Sequence, residues 1–109
     1  MSSRPTEPCC APLLGTPIDV DGAEQLATAF KALADPVRLR LLSLIAASPG
    51  GCACSCDLER PVGKSQPTVS HHLTVLAEAG LITKAKQGRW VMCSIVTSRL
   101  TALRDALGA

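Results

Sequence analysis

The chain has 109 residues, of which 47% are apolar and only two, Phe30 and Trp90, are aromatic, and its net charge is +2. A chain of this length forms one domain with a modest core, and a core built from Leu, Val, Ile and Ala favours helices. No apolar run is long enough to span a membrane, and the first residues lack a signal-peptide core, so we expect a cytoplasmic protein that does not bind membranes.

The positive charge is unevenly distributed along the chain. Residues 1–59 hold four basic and seven acidic side chains, whereas residues 60–89 hold five basic and one acidic. A surface that faces nucleic-acid phosphates requires such a concentration of positive charge. Residues 60–89 are therefore the candidate for an electrostatic contact with DNA.

Six cysteines need an explanation in a chain of this kind. The cytosol keeps thiols reduced, so a structural disulfide framework is not expected. Metal binding and redox chemistry are the remaining interpretations.

In chain order, residues 1–18 contain four of the eight prolines and the pair Cys9-Cys10, without a periodic apolar pattern. We predict an N-terminal arm there and a folded domain over residues 19–109. Asp21, followed by Glu24 three residues later, predicts the start of the first helix.

The second predicted helix spans about residues 36–48. Asp35 suits its cap and Pro36 its first position. The helix is apolar on more than one side, so it is expected at the centre of the core. Arg38 and Arg40 are expected to pair with acids near its start.

A break at residues 49–51 precedes three cysteines at alternate positions, Cys52, Cys54 and Cys56. In an extended segment their sulfurs would share one face, whereas in a helix Cys54 would point away from the other two. A short helix and a tight turn at Gly63-Lys64 are expected next, so the segment leads into a helix-turn-helix motif.

Residues 65–80 predict a capped amphipathic helix. Ser65 can cap the helix with its hydroxyl, and Gly80 ends it. One face is apolar, with Val69, Leu73, Leu76 and Ala77, and the opposite face, with Thr68, His71, Thr74 and Val75, is expected to point outward.

The first two turns of this helix offer short hydrogen-bonding side chains and no charge. Such side chains at the N-terminus of a recognition helix contact base edges. The candidate reading residues are Gln66, Thr68, Ser70 and His71. An ordinary surface helix with a polar start is the alternative interpretation.

Residues 81–96 predict a β-hairpin around Gly88-Arg89. A hairpin beside a recognition helix is a wing, and Lys84, Lys86 and Arg89, together with Lys64 before the helix, are expected on DNA phosphates. Charges that serve only solubility are the alternative.

The final stretch predicts a helix with an apolar stripe of Leu100, Leu103 and Leu107, which a second subunit would cover.

Four segments together resemble the ArsR-type family of metal- and metalloid-responsive repressors: FKALADPVRLRLLSLI, CSCDL, SQPTVSHHLTVLAEAGLI and QGRWVMCSI. The resemblance extends from about residue 21 to residue 107. It implies a mainly α fold with a β-hairpin wing, that is, a winged helix-turn-helix. It also implies a homodimeric repressor that is not an enzyme. Such a repressor binds palindromic double-stranded operator DNA and releases it when a soft metal ion or metalloid binds.

The family's sensing sites vary, and two match this chain. A Cys-x-Cys-Asp-Leu version matches Cys54, Cys56 and Asp57, although Cys52 stands where the family's usual pattern has a glutamate. A second version joins an N-terminal cysteine pair, here Cys9 and Cys10, to a cysteine of the other subunit, for which Cys52 is a candidate. A third version uses His and acids on the final helix, which here has only Asp105.

Soft thiolate ligands select soft ions. Three thiolates suit trivalent arsenic or antimony, so arsenite or antimonite is the expected effector; four suit cadmium, lead or zinc, which remain the alternative. The candidate ligands are Cys9, Cys10, Cys52, Cys54 and Cys56. Cys93 lies among apolar neighbours in a β-prone run and is expected to be buried.

Two other functional classes remain open at this point. A thiol redox sensor would use the same scaffold and oxidise nearby cysteines to a disulfide. A small thiol enzyme would need a cysteine on a phosphate-binding loop or at a helix N-terminus, and the Pro49-Gly50-Gly51 segment is a weak match to such a loop.

Overall fold

The computed structural model of the chain describes residues 10–108. The helices are α1 (Val20–Leu33), α2 (Pro36–Ala47), α3 (Glu59–Val62), α4 (Gln66–Glu78) and α5 (Thr97–Ala106). The strands are β1 (Cys52–Cys54), β2 (Ile82–Gln87) and β3 (Trp90–Ile95), and single turns of 3-10 helix occupy Pro49–Gly51 and Ser55–Asp57. The predicted fold class, mainly helical with a β-hairpin wing, is confirmed.

Short acidic side chains fix the starts of the first two helices. Asp19 adopts an extended backbone conformation and accepts a 2.7 Å hydrogen bond from the amide of Gly22. The predicted start of α1 at Asp21 is therefore wrong, because Asp19 reaches an amide of the first turn. The prediction for α2 is confirmed, since Asp35 accepts from the amides of Val37 (2.9 Å) and Arg38 (3.1 Å).

The core forms where α2 and α4 meet the sheet and α1. Leu41 and Ile45 of α2 are completely buried, which confirms the central position predicted for this helix. The apolar face of α4 is buried as predicted, through Val69, Leu73 and Leu76. Val75, predicted to point outward, instead is half-buried and packs against the core.

A three-stranded antiparallel sheet with the order β1-β3-β2 covers one side of the core. The β2-β3 hairpin confirms the predicted wing, and Gly88 at its turn has a φ of 64°, which favours glycine. Strand β1 was not predicted, because three residues are too few to show a period. Ala53 of β1 pairs with Cys93 of β3, and Cys93 is fully buried, as expected.

The helix-turn-helix consists of α3, a turn and α4. The four-residue α3 ends at Gly63, whose φ of 68° lets the chain turn. Ser65 precedes α4 but makes no capping bond to the backbone; its hydroxyl donates to the hydroxyl of Thr68 at 3.1 Å. The predicted side-chain cap is therefore wrong.

Residues 10–18 lie along the ends of α1 and α5. The amide of Leu13 donates to the carbonyl of Ala106 at 2.9 Å. Large apolar side chains remain exposed here, at the start of α1 and just after α5: Leu13, Leu14, Val20 and Leu107. Between residues 10 and 108, no helix combines the length and apolar character needed to cross a membrane.

Candidate functional site

The residues predicted to read DNA lie on the first two turns of α4. Gln66 and His71 are exposed, whereas Thr68 and Ser70 are half-buried. The hydroxyl of Thr68 already accepts from Ser65. Gln66 and His71 are therefore the most accessible of the four to a partner.

A shallow groove connects this surface with the cysteine segment. It has a volume of about 60 Å³, and its walls include Ser55, Glu59, Gln66, Ser70 and Lys84. Ser55 lies between Cys54 and Cys56 in the chain. The groove therefore places the cysteine segment beside side chains of the recognition helix.

The predicted phosphate-contacting residues divide into two groups. Lys64, Lys86 and Arg89 are exposed. Lys84 is also exposed, but its ammonium donates to the hydroxyl of Thr74 on α4 at 3.0 Å. Lys84 therefore links the wing to the recognition helix in addition to adding positive charge.

The tip of the wing carries a contact that the sequence interpretation missed. The guanidinium of Arg89 lies over the ring of Trp90, 5.3 Å from its centroid. Trp90 is 49% exposed. The sequence did contain a signal for this contact, namely a tryptophan next to an arginine at a predicted hairpin turn. Tryptophan side chains are largely buried in most proteins, so one at an exposed turn is expected to pack against a neighbouring side chain.

Arginines that were expected to pair with acids instead bind backbone carbonyls. Arg38 donates to the carbonyls of Ala32 and Lys31, and it also contacts His72. Arg40 donates to the carbonyl of Pro61 at 2.9 Å. Neither arginine forms a salt bridge with an acid in the part of the chain that the structure describes, although the amides of Arg38 and Val37, together with the charge of Arg38, lower the pKa of Asp35. Both guanidinium groups lie near helix ends, where carbonyls lack partners within the helix.

The cysteine segment changes conformation after Cys54. Strand β1 ends there and a turn of 3-10 helix follows, so the three cysteines lie neither on one extended segment nor in one helix, the two arrangements that their spacing left open. The turn instead brings together the sulfurs of Cys54 and Cys56 and a carboxylate oxygen of Asp57, all within 4.8 Å of one another. The thiol of Cys56 donates to Oδ1 of Asp57 over 3.9 Å.

The other candidate ligands are placed differently. Cys52 lies at the start of β1, half-buried, and is not a member of this three-residue group. Cys10 is half-buried and packs against the core. Cys9 lies outside the described residues. Among the described residues, two of the candidate thiols, those of Cys54 and Cys56, therefore lie together with a carboxylate.

The thiol of Cys56 holds its proton tightly. Its hydrogen bond with Cys54, partial desolvation and the negative charge of Asp57 raise its pKa to about 11. Burial raises the pKa of Cys93, which has no access to solvent. At neutral pH, a soft ion that binds Cys56 as a thiolate must therefore displace a proton.

A family model described as "Bacterial regulatory protein, arsR family" matches residues 35–84. This range contains α2, the cysteine segment, the helix-turn-helix and the start of the wing. The match thus covers the segment of residues 52–57 and the recognition helix, whereas Lys86 and Arg89 of the wing lie beyond it.

Individual proteins are similar over a wider range. The arsenical resistance operon repressor of Escherichia coli is 47% identical over 62 residues, which cover 57% of this chain and 51% of that protein. The crystal structure of an ArsR family transcriptional regulator is 34% identical with a TM-score of 0.68, over 76% of this chain and 82% of that one. The antimony-specific transcriptional repressor AntR is 33% identical with a TM-score of 0.67, over 87% of this chain and 84% of that one.

Proposed function

The chain belongs to the ArsR family of bacterial regulatory proteins, and we propose that it is a homodimeric repressor whose hold on operator DNA is released by a metalloid. Trivalent arsenic or antimony, bound to cysteine thiolates, is the proposed effector. The observation that carries the proposal is the convergence of Cys54, Cys56 and Asp57 beside the recognition helix.

The DNA-binding part of the proposal rests on exposure and charge. Gln66 and His71 present donors and acceptors from the start of α4, as direct base reading requires. Three exposed basic residues supply positive charge for the DNA phosphates: Lys64, Lys86 and Arg89. This arrangement gives α4 the role of recognition helix and the β2-β3 hairpin the role of wing.

The homodimer is supported by apolar surface that one chain leaves uncovered. Leu13, Leu14 and Val20, at and before the start of α1, and Leu107, after α5, are all about half exposed or more. A 109-residue chain with a modest core gains stability by burying such surface against a second copy. Two recognition helices related by a two-fold axis would then read the two halves of a palindromic operator.

The thiol site suits a soft effector. Two sulfurs already lie together, and sulfur ligands favour arsenic, antimony, cadmium, lead or zinc over hard ions such as magnesium. A three-sulfur site for arsenite requires one more thiol, and Cys52 or the pair Cys9 and Cys10 would supply it. Cadmium, lead or zinc, with four ligands, is the alternative effector class.

Effector binding would weaken the DNA complex by moving the support of the recognition helix. The turn that carries Cys56 leads directly into α3 and from there into α4, and Ser55 shares a groove with Gln66 and Ser70. Drawing ligands around the ion displaces this turn in both subunits and misaligns the two recognition helices. A coupling of about 1 to 3 kcal/mol corresponds to roughly 5- to 150-fold weaker operator binding.

DNA recognition is tested with a duplex that the wild-type protein selects from a random-sequence pool. Replacing His71 with Ala should cost about 1 to 3 kcal/mol and relax the preference at one position in each half-site. Replacing Arg89 with Ala should weaken binding to all sequences and reduce the salt slope. Absence of salt-dependent duplex binding, or binding only as a monomer, would contradict the proposal.

The effector is tested by titrating arsenite into the protein–operator complex and following fluorescence anisotropy. Cys54→Ser and Cys56→Ser should bind the operator normally and remain bound when arsenite is added. Cys93→Ser, the matched control at a buried position, should still respond. Parallel titrations with antimonite, cadmium, lead and zinc distinguish the effector classes.

The third ligand is tested with Cys52→Ser and with the Cys9→Ser/Cys10→Ser double variant. The variant that loses the response identifies the segment that completes the site. If the double variant releases DNA at the wild-type arsenite concentration, the arm is not part of the sensor. Retention of the full response by Cys54→Ser and Cys56→Ser would instead refute the metalloid site itself.

A thiol redox sensor is the second candidate function, because the Cys54 and Cys56 sulfurs lie within 4.8 Å of each other. Hydrogen peroxide would oxidise the two thiols to a disulfide and be reduced to two molecules of water. Release of DNA by peroxide in the absence of metal or metalloid, reversed by a dithiol reductant, would favour this function.

A further inference from the structure

One guanidinium group on α2 contacts both the first helix and the recognition helix. Arg38 donates from Nε to the carbonyl of Ala32 at 2.7 Å and from Nη2 to the carbonyl of Lys31 at 3.2 Å. Both carbonyls lie in the last turn of α1, where a cation also interacts favourably with the helix dipole. The Nη1 atom of the same side chain lies 3.0 Å from Nδ1 of His72 on α4.

The chemistry of this contact fixes the state of His72. A guanidinium group donates hydrogen bonds and accepts none, so Nδ1 of His72 must be the acceptor. The bond therefore forms in the tautomer that carries its proton on Nε2. A histidine that is protonated, or is in the other tautomer, cannot accept this bond.

Apolar packing sets which face of α4 is buried, but it resists small rotations of the helix about its axis less sharply than a hydrogen bond does. The buried residues of α4, such as Leu73 and Leu76, face a core to which α1 contributes Leu26, Ala29 and Ala32. Apolar burial is non-directional, whereas a hydrogen bond weakens steeply as its angle departs from linearity. The bond between Arg38 and His72 therefore supplies a directional restraint that the apolar contacts lack.

We propose that Arg38 is a positioning residue for DNA recognition, which acts through His72 to hold the recognition helix in one rotation and register against α1. The inference rests on the proposed dimeric operator binding, in which α1 lies at the subunit interface. His71, a proposed base-reading residue, is next to His72 in the chain. Rotation of α4 about its axis therefore moves the His71 ring relative to the two-fold axis of the dimer.

The first experiment compares variants on the duplex selected by the wild-type protein. Arg38→Lys keeps the charge but replaces the planar guanidinium by a single ammonium nitrogen. That nitrogen cannot reach the two carbonyls of α1 and the His72 ring at once. His72→Leu removes the acceptor. Each should lower operator affinity about tenfold or more, and the double variant should lose little more than either single variant, because both break the same contact.

Three controls separate positioning from other roles. His72→Asn places an amide oxygen near the original Nδ1 and should retain affinity within about threefold of wild type. Arg40→Lys changes the nearby arginine whose bond goes to Pro61 rather than to α4, and should have an effect below about threefold. The salt slope should be unchanged in Arg38→Lys and Arg38→Ala, since no phosphate contact is lost.

The second experiment needs no DNA. Long-range proton–nitrogen NMR correlations report the tautomer of each imidazole, and the chain has two histidines. His72 should be in the Nε2–H form in the wild type and shift toward a mixture in Arg38→Lys, while His71 serves as the internal reference.

The outcomes are distinct. Three results would overturn the positioning role. They are an unchanged His72 tautomer in Arg38→Lys, additive losses of affinity in the double variant, and a salt slope that falls by about one in Arg38→Ala. If the wild type binds its operator and Arg38→Lys binds equally well, this inference fails and the repressor function stands. If the wild type selects no duplex, both fail.

Discussion

The recognition helix and the cysteine segment are held in the fold in opposite ways. Helix α4 buries Leu73 and Leu76 almost completely and is linked through polar side chains to α2 and to the wing. The segment of residues 52–57 is a three-residue strand, paired on one side with β3, followed by one turn of 3-10 helix without a side-chain cap. Cys56 and Asp57 are exposed.

This difference corresponds to two different physical tasks. Base reading requires donors and acceptors at fixed positions, so the helix that presents them must not rotate. Ion binding requires ligands that can move to the distances that the ion sets, so a short element with few buried contacts is suitable. The largest expected effects therefore come from tests that compare the accessibility and stability of the two regions directly.

The largest expected difference is in thiol reactivity. Cys93 has no exposed surface, whereas Cys56 is exposed on the neighbouring segment. Alkylation of Cys93 in the native protein requires opening of the sheet, so it should be about a thousandfold or more slower than in urea-unfolded protein. Cys56 should differ far less between the two conditions. Mass spectrometry of alkylated peptides measures the alkylation rates of both cysteines. If folding slowed the alkylation of Cys56 as much as that of Cys93, the predicted difference in accessibility would be contradicted.

The next effect concerns the core of the recognition helix. Leu76 has no exposed surface, so Leu76→Ala should lower the free energy of unfolding by about 2 to 5 kcal/mol. Leu39→Ala is the matched control, because Leu39 is 51% exposed on α2 and its truncation should cost about 0.5 kcal/mol or less. Urea denaturation measures both. A similar loss of unfolding free energy in the two variants would mean that Leu76 of α4 is not packed more firmly than the exposed Leu39 of α2.

Much of the reading surface could be predicted from sequence, because it is local. The spacing of Val69, Leu73 and Leu76 determines which face of α4 is buried. The partners of Arg38 could not be predicted, since His72 lies 34 residues away and the distance depends on how α1, α2 and α4 pack together. Charge favoured an acid nearby as the partner of Arg38, but its guanidinium donates to the carbonyls in the last turn of α1 instead.

The cysteine segment shows a different limit of sequence interpretation. Alternate spacing would place the sulfurs on one face only if the whole segment were extended, but the chain leaves the strand at Cys54, where pairing with β3 ends. The next turn moves Cys56 toward Cys54 and Asp57. Three strand residues carry too little pattern to reveal where pairing stops, so the residue types were predictable and their arrangement was not.

A smaller effect is expected at the C-terminal end of the recognition helix. Gly80 has a φ of 78°, and a Cβ at this position would lie 2.9 Å from the guanidinium carbon of Arg99. Gly80→Ala should therefore cost about 1 to 2 kcal/mol for the left-handed backbone, plus the cost of displacing Arg99. Gly63→Ala is the control, because its φ of 68° is similar and its added Cβ would meet open space. Equal losses in urea denaturation would mean that Arg99 moves without cost.

The smallest expected effect is at the thiol site, where Asp57 contributes to raising the pKa of Cys56 to about 11. Asp57→Asn removes that negative charge, so the pKa of Cys56 should fall and alkylation at about pH 8 should become roughly two- to fivefold faster. Glu59→Gln, a half-buried acid two residues further along, should change the rate less. Because the raised pKa means that the folded protein favours the protonated thiol, this contribution to stability is fully present at neutral pH and is lost as the pH rises through about 11. A pH profile of alkylation that is identical in Asp57→Asn and wild type would show that the carboxylate does not act on the thiol.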